Sequence, residues 1–145
     1  MELYRYDKQM KASPEEIFDV VNDDEKLKQW SPIFEGNDYF TEEERARGTK
    51  FRTKLKVLNK TYQFRSQITE YEENRCVKVR TTLKQGTITS AFQLAPSSNN
   101  ETQVTVTSNF EGTGRKYNLI LKGAKPVIKR VLDNQVNKLE KVAAK

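Results

Sequence analysis

The chain has 145 residues, 35% of them apolar and 32% charged, with a net charge of +6 and no histidine. That length supports one hydrophobic core without staples. A chain without histidine lacks the commonest general base, the Ser/Cys–His nucleophile pairs and the usual ligand set of a zinc or non-haem iron site.

Residues 3–11 alternate as a strand, with Tyr4, Tyr6, Lys8 and Met10 on one face. Ser13-Pro14-Glu15-Glu16 is a helix start. Ser13 can accept from the N–H of Glu16, Glu16 can reach back to Ser13, and Pro14 suits the first helical position. This helix carries Ile17, Phe18, Val20 and Val21 and breaks at Asn22-Asp23. Asp23 or Asp24 can cap a second short helix over residues 25–30, and Ser31-Pro32 ends it because the residue before a proline avoids the helical region. A short, irregular strand is expected over residues 33–40, followed by a polar turn over 41–48.

From residue 50 the period-2 pattern is clean. The covered faces of successive strands read Phe51, Thr53, Leu55 and Val57, then Tyr62, Phe64, Ser66 and Ile68, then Val77, Val79, Thr81 and Leu83. After Gln85-Gly86 come Ile88, Ser90, Phe92 and Leu94, and after a loop over residues 96–100 come Val104, Val106, Ser108 and Phe110. Arg52, Lys54, Lys56, Arg65, Lys78 and Arg80 occupy the opposite, wet face. One covered and one solvated face is the pattern of an antiparallel meander. The small hydroxyl residues on the covered face (Thr53, Ser66, Thr81, Ser90 and Ser108) either leave room there or have their hydroxyls satisfied locally.

Residues 114–145 form one long amphipathic helix, with Tyr117, Ile120, Leu121, Ala124, Ile128, Val131, Leu132, Gln135, Leu139, Val142 and Ala143 in a single stripe. Some thirty residues extend roughly 45 Å, and Pro126 predicts a kink near residues 123–126. So long a helix in so short a chain has to lie across a curved sheet, and the expected consequence is an apolar space between the two.

Several motifs carry a family resemblance. The run Ala12-Ser13-Pro14-Glu15-Glu16-Ile17-Phe18-Asp19-Val20-Val21 resembles the opening of the START-like polyketide cyclase/dehydrase and lipid-transport (SRPBCC) superfamily. Leu27-Lys28-Gln29-Trp30-Ser31-Pro32 is similar to its second-helix element, Arg47-Gly48-Thr49-Lys50-Phe51-Arg52 to the opening of its third strand, and Leu139-Glu140-Lys141 to its helix end. The resemblance spans nearly the whole chain. It implies an α+β helix-grip fold: a strand, two short helices and about six further strands, curved around a long C-terminal helix as a single domain over residues 1–145. It also implies a tunnel for hydrophobic ligands (lipids, quinones or polyketide-like molecules) between helix and sheet.

The expected lining of that space is Trp30, Phe34, Phe51, Tyr62, Phe64, Phe92, Phe110, Tyr117, Leu121 and Ile128. The phenylalanines can wall a cavity or fill it, and Trp30 can line its mouth or pin its helix to the sheet. Tyr62 and Tyr117 can bury their rings and still offer a hydroxyl. No cofactor and no catalytic residue is indicated. Glu70 and Lys8 share the parity of covered positions, so a cyclase or dehydratase acting through them is one alternative. Cys76 shares the parity of Lys78 and Arg80, cations that could lower its pKa, and a lone cysteine fits a reducing, cytoplasmic setting. Residues 1–11 have no apolar segment of the signal-peptide kind.

The charge is unevenly divided. Residues 1–49 hold 7 Lys/Arg against 13 Asp/Glu (−6), residues 50–114 hold 10 against 5 (+5), and residues 115–145 hold 9 against 2 (+7). Lys-rich solubility explains this, and so does an anionic partner, a membrane or RNA and the ribosome, meeting the basic strand face. Nothing indicates DNA specificity. The aromatics lie on the other face, so RNA would be held by phosphate alone.

Overall fold

The computed structural model describes residues 1–43, 45–57, 59–97 and 100–144. Glu44 of the acidic turn, Ser98 and Asn99 of the loop, Lys145 and the side chain of Val57 lie outside the described residues. The chain runs β1 (Glu2–Met10), α1 (Pro14–Val21), α2 (Asp24–Trp30), β2 (Phe34–Tyr39), β3 (Lys50–Val57), β4 (Lys60–Glu72), β5 (Cys76–Leu83), β6 (Gly86–Pro96), β7 (Thr102–Glu111) and α3 (Arg115–Ala143). Local chemistry sets the helix starts. Ser13 and Glu16 form a reciprocal capping box on α1, and the Asp23 carboxylate accepts from the N–H groups of Glu25 and Lys26 at the head of α2.

β2 to β7 form an antiparallel meander, and β1 closes the far edge by pairing with β7, giving the order β1-β7-β6-β5-β4-β3-β2. The curved seven-stranded sheet, two short helices and long terminal helix make the helix-grip fold. The register places Ser66 opposite Thr81, Val79 opposite Ser90 and Ser90 opposite Ser108, so covered residues meet covered residues across the sheet. A bulge between Ile68 and Glu70 breaks the parity of β4. It turns Glu70 outward onto Lys78, 3.1 Å away, and brings Tyr71 inward opposite Val77, where its ring meets Phe18 edge-on. The inward position that alternation allowed for Glu70 is therefore overturned by one extra residue in the strand.

The dense core lies at one end. Met10, Ile17, Ile68, Val104 and Leu139 are completely buried, packed with Phe18, Val20, Leu94 and Val136. α3 is sewn to β1 along this end. The Tyr4 hydroxyl donates to Asp133 at 2.7 Å, Tyr6 to Asn137 at 3.2 Å, and Lys8 Nζ to Glu140 at 3.0 Å. Steps of two on a strand and of three or four on a helix cover similar rises, so Tyr4, Tyr6 and Lys8 each meet a helix partner about one turn further on. Ser31 donates to Gln135 at 2.9 Å in a buried pair that holds the end of α2 to the same half of α3. Helical structure continues unbroken through Gly123 and Pro126.

At the other end Phe110, 1% exposed, caps the sheet between Gly86 and Gly112. A Cβ on Gly112 would lie 2.5 Å from the Phe110 ring and 2.6 Å from the Gln85 carbonyl oxygen, so only glycine fits.

Candidate ligand cavity on the concave sheet

A cavity of about 540 Å³ lies on the concave side of the sheet, over β3 to β6. Phe51, Thr53 and Leu55 of β3 form its floor with Phe64 and Ser66 of β4, Val77, Val79, Thr81 and Leu83 of β5, and Ile88, Ser90 and Phe92 of β6. Val106 of β7 extends it toward the core; Phe34, Asn37, Val21, Leu27 and Arg45 close its other side. Leu55, Phe64, Val79, Leu83, Ile88 and Phe92 are half-buried, which marks the space as an open groove and not a sealed void.

The hydroxyls on the floor are partnered. Ser66 and Thr81 share a hydrogen bond at 2.9 Å, Ser90 and Ser108 share one at 3.1 Å, and Thr53 donates to Asn37 at 2.7 Å. Cross-strand register makes each of the two hydroxyl pairs possible, because both members stand opposite on adjacent strands. Small side chains thus open the space, and mutual hydrogen bonding leaves its surface effectively apolar. Room and local satisfaction, open alternatives in the sequence, occur together.

Polarity is concentrated at one wall. Asp24, at the start of α2, pairs with Arg45, accepts from the Tyr39 hydroxyl at 2.6 Å and accepts from Asn37 Nδ2 at 3.0 Å. Burial, reinforced by the bond to Asp24, pushes the Tyr39 phenol up to about 12. Arg45 is the one charged side chain lining the cavity among the described residues, and Asp24 neutralises it.

Of the ten residues named from the sequence, Phe34, Phe51, Phe64 and Phe92 meet at the cavity. The other six stand elsewhere. Trp30 packs against the dense core, and its buried indole N–H has no hydrogen-bond partner among the described residues. Tyr62 is 45% exposed and stacks on Phe64 at 6.5 Å. Phe110 and Tyr117 pack on each other at 5.3 Å. Leu121 is half-buried and Ile128 packs toward the core, and no residue of α3 lines the cavity among the described residues. α3 makes its contacts with β1, α1 and α2, and the expected roof of helix over sheet does not form part of this cavity's lining.

Val21, Leu27, Asn37 and Arg45 were missed from the sequence. Val21 ends α1, Leu27 is the middle of the seven-residue α2, Asn37 is on the short β2 and Arg45 is on a loop, segments too short or irregular for periodicity to report direction.

The candidate catalytic groups lie off the cavity. Glu70 faces outward, and Lys8 is engaged with Glu140. Cys76 is buried, and burial together with the Glu70 carboxylate pushes its thiol up despite Lys78, opposite to the expected lowering. On the basic strand face Arg52 and Lys54 pair with Asp38, and Arg80 donates to Gln67. No helix among the described residues is long and apolar enough to cross a membrane.

Solved structures share this arrangement at low identity. A protein of unknown function from Staphylococcus aureus superposes with a TM-score of 0.76 at 14% identity, covering 99% of this chain and 93% of its own. A protein from Thermus thermophilus gives 0.73 at 17% identity, covering 96% and 94%. A START superfamily protein from Mycobacterium smegmatis gives 0.66 at 18% identity, covering 97% and 93%. At these identities the likeness concerns fold. No curated protein matches the sequence. A family pattern does match, over residues 2–144, and the chain belongs to the polyketide cyclase / dehydrase and lipid transport family.

Proposed function

We propose that this protein binds a small hydrophobic molecule in the groove on the concave sheet, as a carrier or sequestering domain. One observation carries the reading: an apolar cavity of about 540 Å³ whose floor hydroxyls already hydrogen-bond to each other and to Asn37. That volume lies within the range of drug-sized ligand sites. The family's description, which includes lipid transport, supports the same class of ligand. Burying about ten methylene groups yields on the order of 8 kcal/mol before ordering costs, so useful affinity needs no specific hydrogen bond. The ligand's apolar body lies along Phe51, Phe64, Val79 and Phe92, and any polar end meets Asn37, Thr53 and Arg45. Because Asp24 neutralises Arg45, a neutral hydrogen-bonding head suits that wall better than a free carboxylate.

The test is native mass spectrometry of protein purified from its own source, before and after organic extraction. A discrete apolar mass lost on extraction is the expected result. An unchanged apo mass, together with failure to take up added quinones, phospholipids or aromatic polyketides, contradicts the proposal.

A further inference from the structure

We infer that the N-terminal half of α3 is a docking edge for an anionic lipid surface. The inference is independent of the ligand reading. Residues 115–132 contain six Lys/Arg and no Asp/Glu. The same stretch holds Leu119, Ile120, Val127 and Val131, which are 70%, 58%, 61% and 44% exposed. These are four of the seven large hydrophobics exposed among the described residues, so the patch is not a sampling of ordinary surface.

Helix geometry gathers them. At about 100° per residue, Leu119, Arg130, Lys116, Val127, Ile120 and Val131 fall in one arc of roughly 120°. Lys129 and Asp133 lie outside this arc, on the edge facing β1, where Lys129 stands over the Tyr4 ring and Asp133 accepts from the Tyr4 hydroxyl. The arc is therefore turned away from the strand that anchors the helix. Apolar side chains beside long cations, with no acid among them, are the composition of a helix that lies in a membrane interface: the apolar groups enter the headgroup boundary while the cations reach lipid phosphates.

Charge decides against the other occupants. A two-fold pairing of this edge with a second copy would set Lys116 and Arg130 against the same residues. RNA phosphate would meet the cations, but the arc offers no aromatic ring for base stacking and leaves four aliphatic side chains unused. An anionic bilayer complements both halves of the composition at once.

The test is cosedimentation of the whole protein with mixed phosphatidylcholine–phosphatidylglycerol vesicles and with pure phosphatidylcholine vesicles. Binding is expected to require phosphatidylglycerol and to weaken as salt rises. Ile120→Asp and Val127→Asp should each lower partition about tenfold. Lys116→Gln and Arg130→Gln should each lower it about fivefold. All four sites are exposed, so melting temperatures should stay near the parent's, which separates lost docking from lost fold. Lys50→Gln/Arg65→Gln on the outer strand face should change partition less than about twofold. An equal loss in that strand-face variant would overturn the proposal by reducing it to net charge. Absence of vesicle binding would overturn it as well, whether accompanied by nuclease-sensitive RNA binding or by a dimer that Val127→Asp dissociates.

Discussion

In the C-terminal half of α3, Gln135, Val136, Leu139 and Ala143 are buried against β1, α1 and α2, whereas in residues 115–132 no side chain is buried and four large apolar ones are exposed. The three- and four-residue apolar stripe runs through both halves, and the first half adds Leu119 and Val127 outside it. What differs is the partner. β1 supplies Tyr4, Tyr6 and Lys8 to Asp133, Asn137 and Glu140, all in the second half of the helix. The middle of the sheet, over β3 to β6, keeps an open groove instead of receiving the helix. Periodicity thus tells which side chains share a face and leaves undetermined what, if anything, covers that face.

Substitutions can sharpen this contrast. Leu139→Ala, at a fully buried position, should lose about 3 kcal/mol in urea unfolding, while Ile120→Ala should change it by less than about 0.5 kcal/mol. Equal losses would mean that the helix is packed along its whole length. Gly112→Ala forces a methyl against the Phe110 ring and a backbone carbonyl. It should cost about 2 kcal/mol, read as a lower thermal midpoint.

Acid should loosen the anchored half. Glu140 is partly buried, which pushes its carboxyl up, but the Lys11 N–H and Lys8 Nζ outweigh this and hold it below the ordinary carboxylate range. Because the folded value is the lower one, the stability it contributes is full above the ordinary glutamate range and is lost as pH falls through the folded value. Glu140→Gln should therefore flatten the drop in urea midpoint between neutral pH and about pH 3, an effect of about 1 kcal/mol. An unchanged slope would remove Glu140 from the acid response. Of similar size, Ser90→Ala strands the Ser108 hydroxyl and should cost about 1 kcal/mol, with Ser90→Ala/Ser108→Ala costing less than the sum of the two single variants.

Much of the fold was legible because its signals are local. The Ser13/Glu16 capping box, the Asp23 cap and the alternation from Phe51 to Phe110 need only neighbours in sequence. The bulge between Ile68 and Glu70 was not, since one extra residue has no compositional mark, yet it reverses the direction of Glu70 and Tyr71. Cys76 shows a similar limit: its parity is outward, and its burial comes from surroundings that parity does not describe. In the candidate site, Phe34, Phe51, Phe64 and Phe92 could be placed because strand register carries them. Arg45 and Asn37 could not, because their positions depend on Asp24, which α2 brings across the groove. Tyr117, Leu121 and Ile128 were placed over the groove on the assumption that helix and sheet face each other throughout.

The claim that the open groove is a ligand site is tested most directly by titrating N-phenyl-1-naphthylamine, an uncharged fluorescent probe, into the protein and into Val79→Trp, whose indole would extend into the cavity. One probe bound per chain, insensitive to salt, with affinity weakened at least about tenfold in Val79→Trp at an unchanged fold, is the predicted result. Equal binding by both proteins, or none by either, would contradict it.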